Sequence, residues 1–112
     1  MNNNTSYIQR NKMLIELKDN LKGFLGNRLE RMVLFGSRAR GDYEDESDID
    51  IAIIVHGLTR ELKNQILDTV AEIELKYLQP ISVIVFSKAE FDGLKERERR
   101  IALDIEKEGI PL

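Results

Sequence analysis

Two short clusters in this chain carry residue types suited to handling a chain of phosphates. The first is Phe35-Gly36-Ser37-Arg38-Ala39-Arg40-Gly41, an apolar strand running into a Gly-Ser turn that opens a brief helix. A helix N-terminus presents backbone N–H groups and the positive end of the helix dipole, both favourable to phosphate. Gly36 leaves room for close approach of an anion, and Ser37 adds a hydroxyl donor. Arg38 and Arg40 can make charge-assisted bonds to phosphate oxygens. Taken alone, a Gly-Ser turn is as readily structural as functional.

The second cluster, Ser47-Asp48-Ile49-Asp50-Ile51, opens another apolar strand. Residues i and i+2 of a strand point to the same face, so Asp48 and Asp50 project together while Ile49 and Ile51 face the other way. Two adjacent carboxylates repel unless a cation lies between them, and such oxygen ligands suit a Mg²⁺ that also bridges phosphates. An Asp-x-Asp pair can simply cap a turn. Its place just after a Gly-Ser turn, between apolar strands, favours a binding site.

These clusters must be positioned by the flanking elements. Ser6 and Gln9 form a capping-box pattern, followed by Leu14, Leu17, Leu21, Phe24 and Leu25 at helical spacing, which predicts a first helix from Tyr7 to Leu25. Met32 to Phe35 reads as a buried strand, Ser37 to Arg40 as a short helix stopped by Gly41, and Asp42 to Glu46 as an acidic loop. Asp48 to Val55 is the second strand. Thr59 caps a long helix through Leu62, Ile66, Val70, Ile73 and Tyr77, which Pro80 ends. Ile81 to Phe86 is a third, β-branched strand. Ser87 and Glu90 form a further capping box, leading into one helix through Phe91, Leu94, Ile101 and Ile105. The order predicts an α/β fold in which a small mixed sheet packs against helices. Strands two and three are expected to be parallel, with the relation of one to two left open.

The 112 residues suit a single domain, 1–112, with residues 1–6 as a flexible polar tail. A net charge of -3 disfavours nucleic acid as a general partner, so any anion must be met locally. Absence of cysteine excludes disulfides and thiolate metal sites. No signal-peptide core and no apolar run of membrane-spanning length is visible, so a cytoplasmic location and no membrane partner are expected.

The string Gly36-Ser37, ten residues, then Asp48-Ile49-Asp50-Ile51 resembles the signature of the polymerase-β-like nucleotidyltransferase superfamily. The fuller wording around it resembles the minimal nucleotidyltransferase branch. The resemblance implies that fold, with ATP as substrate and Mg²⁺ as cofactor. It implies that Gly36 and Ser37 hold the terminal phosphates, assisted by Arg38 and Arg40, and that Asp48 and Asp50 are the catalytic metal ligands. Members of the branch are commonly antitoxins of a helical HEPN-domain RNase, and some transfer AMP from ATP to that partner.

One departure stands out. The superfamily places a third carboxylate on the next central strand, and the matching position here is most plausibly Ser82, a poor metal ligand and weak base. The loop acids Asp42, Glu44, Asp45 and Glu46, or a partner protein, could substitute, although a solvated turn is the plainer reading of the loop. Three functions follow: AMP transfer to a hydroxyl of a HEPN toxin partner, a catalytically weak or inactive nucleotide-binding antitoxin that acts by complex formation, and, ranked last, transfer to a small molecule. Elsewhere the simpler readings are favoured. His56 is a surface residue, Tyr43 a loop residue partly covering the fold rather than a base-stacking one, and Lys95 to Arg100 a solvated helix face rather than a contact for a partner or RNA. Ile110-Pro111-Leu112 is an exposed apolar tip that docks either on the domain or on another subunit, so that homo- or hetero-oligomers are both open.

Overall fold

A computed structural model describes residues 11–42 and 47–112. Its first described helix, α1, spans Lys12–Leu25 and is followed by a 3-10 turn, Gly26–Arg28, and strand β1, Leu29–Phe35. A short helix α2, Gly36–Arg40, leads toward strand β2, Ile49–Val55. Helix α3, Arg60–Tyr77, crosses to β3, Ile81–Ser87; helices α4, Lys88–Glu96, and α5, Arg100–Glu108, precede a two-residue strand β4, Ile110–Pro111. The sheet order is β3-β2-β1-β4. Strands β2 and β3 are parallel, whereas β1 is antiparallel to both β2 and β4, so the expected mixed sheet is present.

Helices cover both faces. On one, Leu14, Leu17 and Leu21 of α1 and Ile66, Val70 and Ile73 of α3 meet Leu34, Ile49, Ile51 and Ile53. On the other, Phe91 of α4 and Ala102 and Ile105 of α5 meet Val33, Ala52, Ile54 and Phe86. Strand β2 is therefore buried on both sides from Ile51 to Val55, which is why it reads as an unbroken apolar run. Each fully buried isoleucine there contributes on the order of 1.5–3 kcal/mol of transfer free energy. Only at its start does β2 carry polar side chains, and that is where the site forms.

Several boundaries differ from the sequence expectation. Helix α1 begins at Lys12, because Asn11 is extended and its side chain accepts from the Leu14 N–H at 3.0 Å; Ser6 and Gln9 lie outside the described residues. Strand β1 starts earlier, at Leu29, where charged Glu30 and Arg31 conceal the pattern. Thr59 and the Ser87–Glu90 box cap α3 and α4 as the pattern implied. The single helix expected after Ser87 is two helices. Glu98 adopts φ 54°, the Arg99 N–H bonds the Leu94 carbonyl, and the chain turns into α5, a left-handed stop of the Schellman type. Lys95 and Glu96 thus end α4, Arg97 to Arg99 form the turn and Arg100 opens α5, so the exposed side chains of Lys95 to Arg100 do not lie on one helix face.

The Ile110 to Leu112 segment docks on its own chain: β4 pairs with β1, and the Leu112 N–H bonds the Met32 carbonyl at 2.8 Å. His56 is half-exposed and pairs with Glu30 at 2.6 Å, at the opposite end of β2 from Asp48. Tyr43 and the acids Glu44 to Glu46 lie outside the described residues. No described helix is long and apolar enough to cross a membrane.

Candidate active site

Antiparallel pairing of β1 and β2 puts the end of one strand beside the beginning of the other. Phe35 is in register with Asp50, so the Gly36-Ser37 turn that follows Phe35 lands against the start of β2. Gly36 has φ +73°, a conformation that side chains disfavour. A Cβ on Gly36 would collide with Asp50, whose Oδ2 occupies that space and whose Cγ would lie only 3.2 Å away. Glycine is required twice over, by backbone angle and by the carboxylate seated against it. The two sequence clusters are one piece of structure.

Helix α2 is a little over one turn long, and its N-cap is Phe35, which has no side-chain oxygen to cap the first N–H groups. Gly41, at φ 84°, closes the helix with its N–H on the Ser37 carbonyl. Ser37 is half-buried at the turn. The two arginines part company. Arg38 is buried, and its Nη2 donates to the Ser47 carbonyl at 2.9 Å, tying α2 to the segment that opens β2. Arg40 is exposed and pairs with Asp42 at 3.3 Å and with Glu108 of α5 at 3.2 Å.

Asp48 is exposed and Asp50 half-buried, both at the start of β2. On its other side Asp50 is in register with Ser82 of β3. Burial and then the Asp48 charge push the Asp50 pKa above the ordinary aspartate value, against opposing pulls from Arg40 and the Ser82 hydroxyl. A carboxylate held in this way is stabilised by a cation shared with its neighbour. The donors are hard oxygens with no thiolate or imidazole among them, a set suited to a hard divalent cation such as Mg²⁺. Among the described residues no third acid, histidine or cysteine joins the pair. Ser82 stands beside Asp50 where the family pattern implies a carboxylate.

Two supporting residues carried no signal in the sequence. Gln79 donates through Nε2 to the Ser47 carbonyl at 3.4 Å and the Pro80 carbonyl at 3.1 Å. Glu74 accepts from the Ile81 N–H at 2.9 Å, anchoring the start of β3. Both are polar residues at the end of α3, and nothing in their spacing marks them.

Comparison with known proteins bears on the family and the fold. Residues 16–109 match the profile of the polymerase β nucleotidyltransferase family. A Methanocaldococcus jannaschii relative, whose name proposes it as a protein adenylyltransferase, is 38% identical over 78 residues, which is 69% of this chain and 79% of the relative. A crystal structure of a Sulfolobus solfataricus protein proposed to be a nucleotidyltransferase superposes with a TM-score of 0.57 at 27% identity, covering 89% of this chain and 76% of that one. A chain from a toxin–antitoxin crystal structure with AMP-PNP superposes with a TM-score of 0.50 at 20% identity, over 86% of this chain and 69% of its own, a likeness of fold.

Proposed function

This chain belongs to the polymerase β nucleotidyltransferase family, and from that premise we propose that it transfers AMP from ATP to a hydroxyl of a partner protein, a helical HEPN-type toxin that it neutralises. The observation that carries this reading is the seating of the Asp50 carboxylate against Gly36, which joins a phosphate-binding turn to a cation-binding pair. The protein-adenylyltransferase name of the M. jannaschii relative supports a protein acceptor.

In this reading the backbone of Gly36 and Ser37 and the Ser37 hydroxyl grip the terminal phosphates, with Arg40 adding charge from the rim. Arg38 fixes the Ser47 carbonyl and thereby the approach of Asp48 to the nucleotide. Asp48 and Asp50 would hold Mg²⁺, which would supply polarisation of the α-phosphate and charge neutralisation of the departing pyrophosphate. The remainder of catalysis is positioning, as in phosphoryl transfer generally.

Incubation with labelled ATP, Mg²⁺ and the HEPN-type partner tests the proposal. Label is expected on the partner, and is expected to vanish with Asp48→Ala or Asp50→Ala. Absence of transfer, or equal transfer by these variants, overturns it. Ser82 beside Asp50 favours a second reading, an antitoxin that binds nucleotide and acts by occlusion. That reading requires the double Asp variant to retain both complex formation and neutralisation.

A further inference from the structure

The two most exposed of the large hydrophobic side chains among the described residues lie together at the C-terminal end of α3. Leu75 is 76% exposed and Leu78 84%. With Ala71, Gln79 and Pro80 they border a shallow hollow of about 440 Å³. Leu78 also holds φ 51° at the helix cap, a conformation in which glycine or asparagine is favoured over leucine. A leucine that is both solvent-exposed and unfavourably placed in the backbone gains nothing within its own chain. The hollow adjoins the candidate site, because Gln79 bonds the Ser47 carbonyl and the Pro80 carbonyl accepts from the Ile49 N–H at 3.2 Å.

The charges around the hollow discriminate among occupants. Glu74 lines the hollow and accepts from the Ile81 N–H at 2.9 Å, while Glu61, Asp68 and Glu72, spaced i, i+7 and i+11, lie along the side of α3 that leads to Leu75. All three are exposed, and none takes an ion pair among the described residues. Lys76, next to Leu75 in the chain, is engaged by Glu16 at 2.8 Å. In a two-fold antiparallel pairing of α3 with a second copy, the same side of each helix faces the other. The acidic rims would then oppose each other, which disfavours a second copy. A segment with apolar anchors flanked by lysine or arginine would satisfy both the leucines and the acids.

We propose that the Leu75–Leu78 hollow with its Asp68–Glu72 rim is the docking surface for the acceptor protein, which engages it through a basic-flanked apolar helix and so brings its hydroxyl beside Asp48 and Asp50. This rests on the reading of the chain as a transferase acting on a protein, and its test reads binding separately from transfer.

The probe is a fluorescent helical peptide with leucines at i and i+4, flanking lysines and one serine, compared with a version in which glutamates replace the lysines. The full chain is expected to bind the lysine peptide. Leu75→Ser combined with Leu78→Asn, the latter suited to the left-handed cap, is expected to weaken binding by about tenfold or more, as for loss of paired apolar anchors. Asp68→Lys with Glu72→Lys is expected to shift preference to the glutamate peptide. Asp48→Asn with Asp50→Asn is expected to bind the lysine peptide unchanged while transferring no label. No binding of the lysine peptide, or binding indifferent to the leucine and charge variants, overturns the docking surface even if transfer to another acceptor is found. A sedimentation-detected dimer dissolved by the leucine variants also overturns it, in favour of a second copy. Binding with the expected pattern while the wild type labels neither the peptide nor the HEPN-type partner would leave the surface standing and remove the reading of AMP transfer to a protein.

Discussion

A methyl group at position 36 would need the space that an Asp50 oxygen fills, on a backbone turned to φ +73°. Gly36→Ala is therefore expected to destabilise the fold by roughly 1–3 kcal/mol, measured by urea denaturation, and to displace Asp50 enough to weaken nucleotide binding. Asp50 itself trades stability for function. Its pKa is raised on folding, chiefly by burial and then by Asp48. A raised carboxylate favours the folded state when protonated, and that contribution is lost as pH rises through the folded pKa. In buffer with chelator, Asp50→Asn is therefore expected to melt higher than the wild type near neutrality. The difference should shrink as pH falls below the ordinary aspartate range, and a lower melting temperature at neutral pH would contradict this. Arg38 acts through packing as much as charge. The motif assigns Arg38 to a phosphate, and the structure adds that its Nη2 bonds the Ser47 carbonyl from a buried position, a detail that no spacing rule encodes.

Among the elements, β2 was legible because burial on both faces forces an apolar run, and the Asp pair interrupts it only where the strand leaves the core. Caps were legible for a similar reason, since a Ser or Thr side chain answering an orphan N–H leaves a fixed spacing. Ser87→Ala is expected to cost about 1 kcal/mol by thermal or urea unfolding. Hydrogen bonds from the Ser87 backbone, then from its side chain, hold the Glu90 pKa below the ordinary glutamate value. Its stabilisation is thus complete above that ordinary value and lost as pH falls through the lower, folded one. Glu90→Gln should accordingly lose less stability than the wild type on acidification, checked by melting curves from neutral to acid pH. What escaped the sequence depends on distant partners. Helical periodicity runs through Glu98 without revealing that the chain must turn there to lay α5 against β1. Ile110 and Pro111 form a strand only because β1 offers an open edge.

At the scale of the molecule, the sheet brings together residues from three strands and the α2 turn, so Gly36, Asp50 and Ser82 become neighbours although Ser82 lies far along the chain. The α/β order, and the meeting of the Gly36 turn with Asp50, could be read from sequence because the motif is local. The docking hollow could not, since Leu75 and Leu78 are ordinary helix residues until the fold shows which face of α3 is covered. Ser82→Asp places a third carboxylate beside Asp50. It is expected to lower the melting temperature in chelator, through repulsion with the half-buried Asp50, and to raise Mg²⁺ affinity in calorimetric titration; unchanged affinity would remove Ser82 from the site. The joining of turn and carboxylates into one nucleotide–cation site is tested most directly by ATP binding, titrated with and without Mg²⁺ in the wild type, Gly36→Ala and Asp50→Asn, with folding verified by circular dichroism. The expected result is Mg²⁺-dependent binding that weakens about tenfold or more, ~1.4 kcal/mol or greater, in both variants. ATP affinity indifferent to Mg²⁺, or equal in all three proteins, would contradict it.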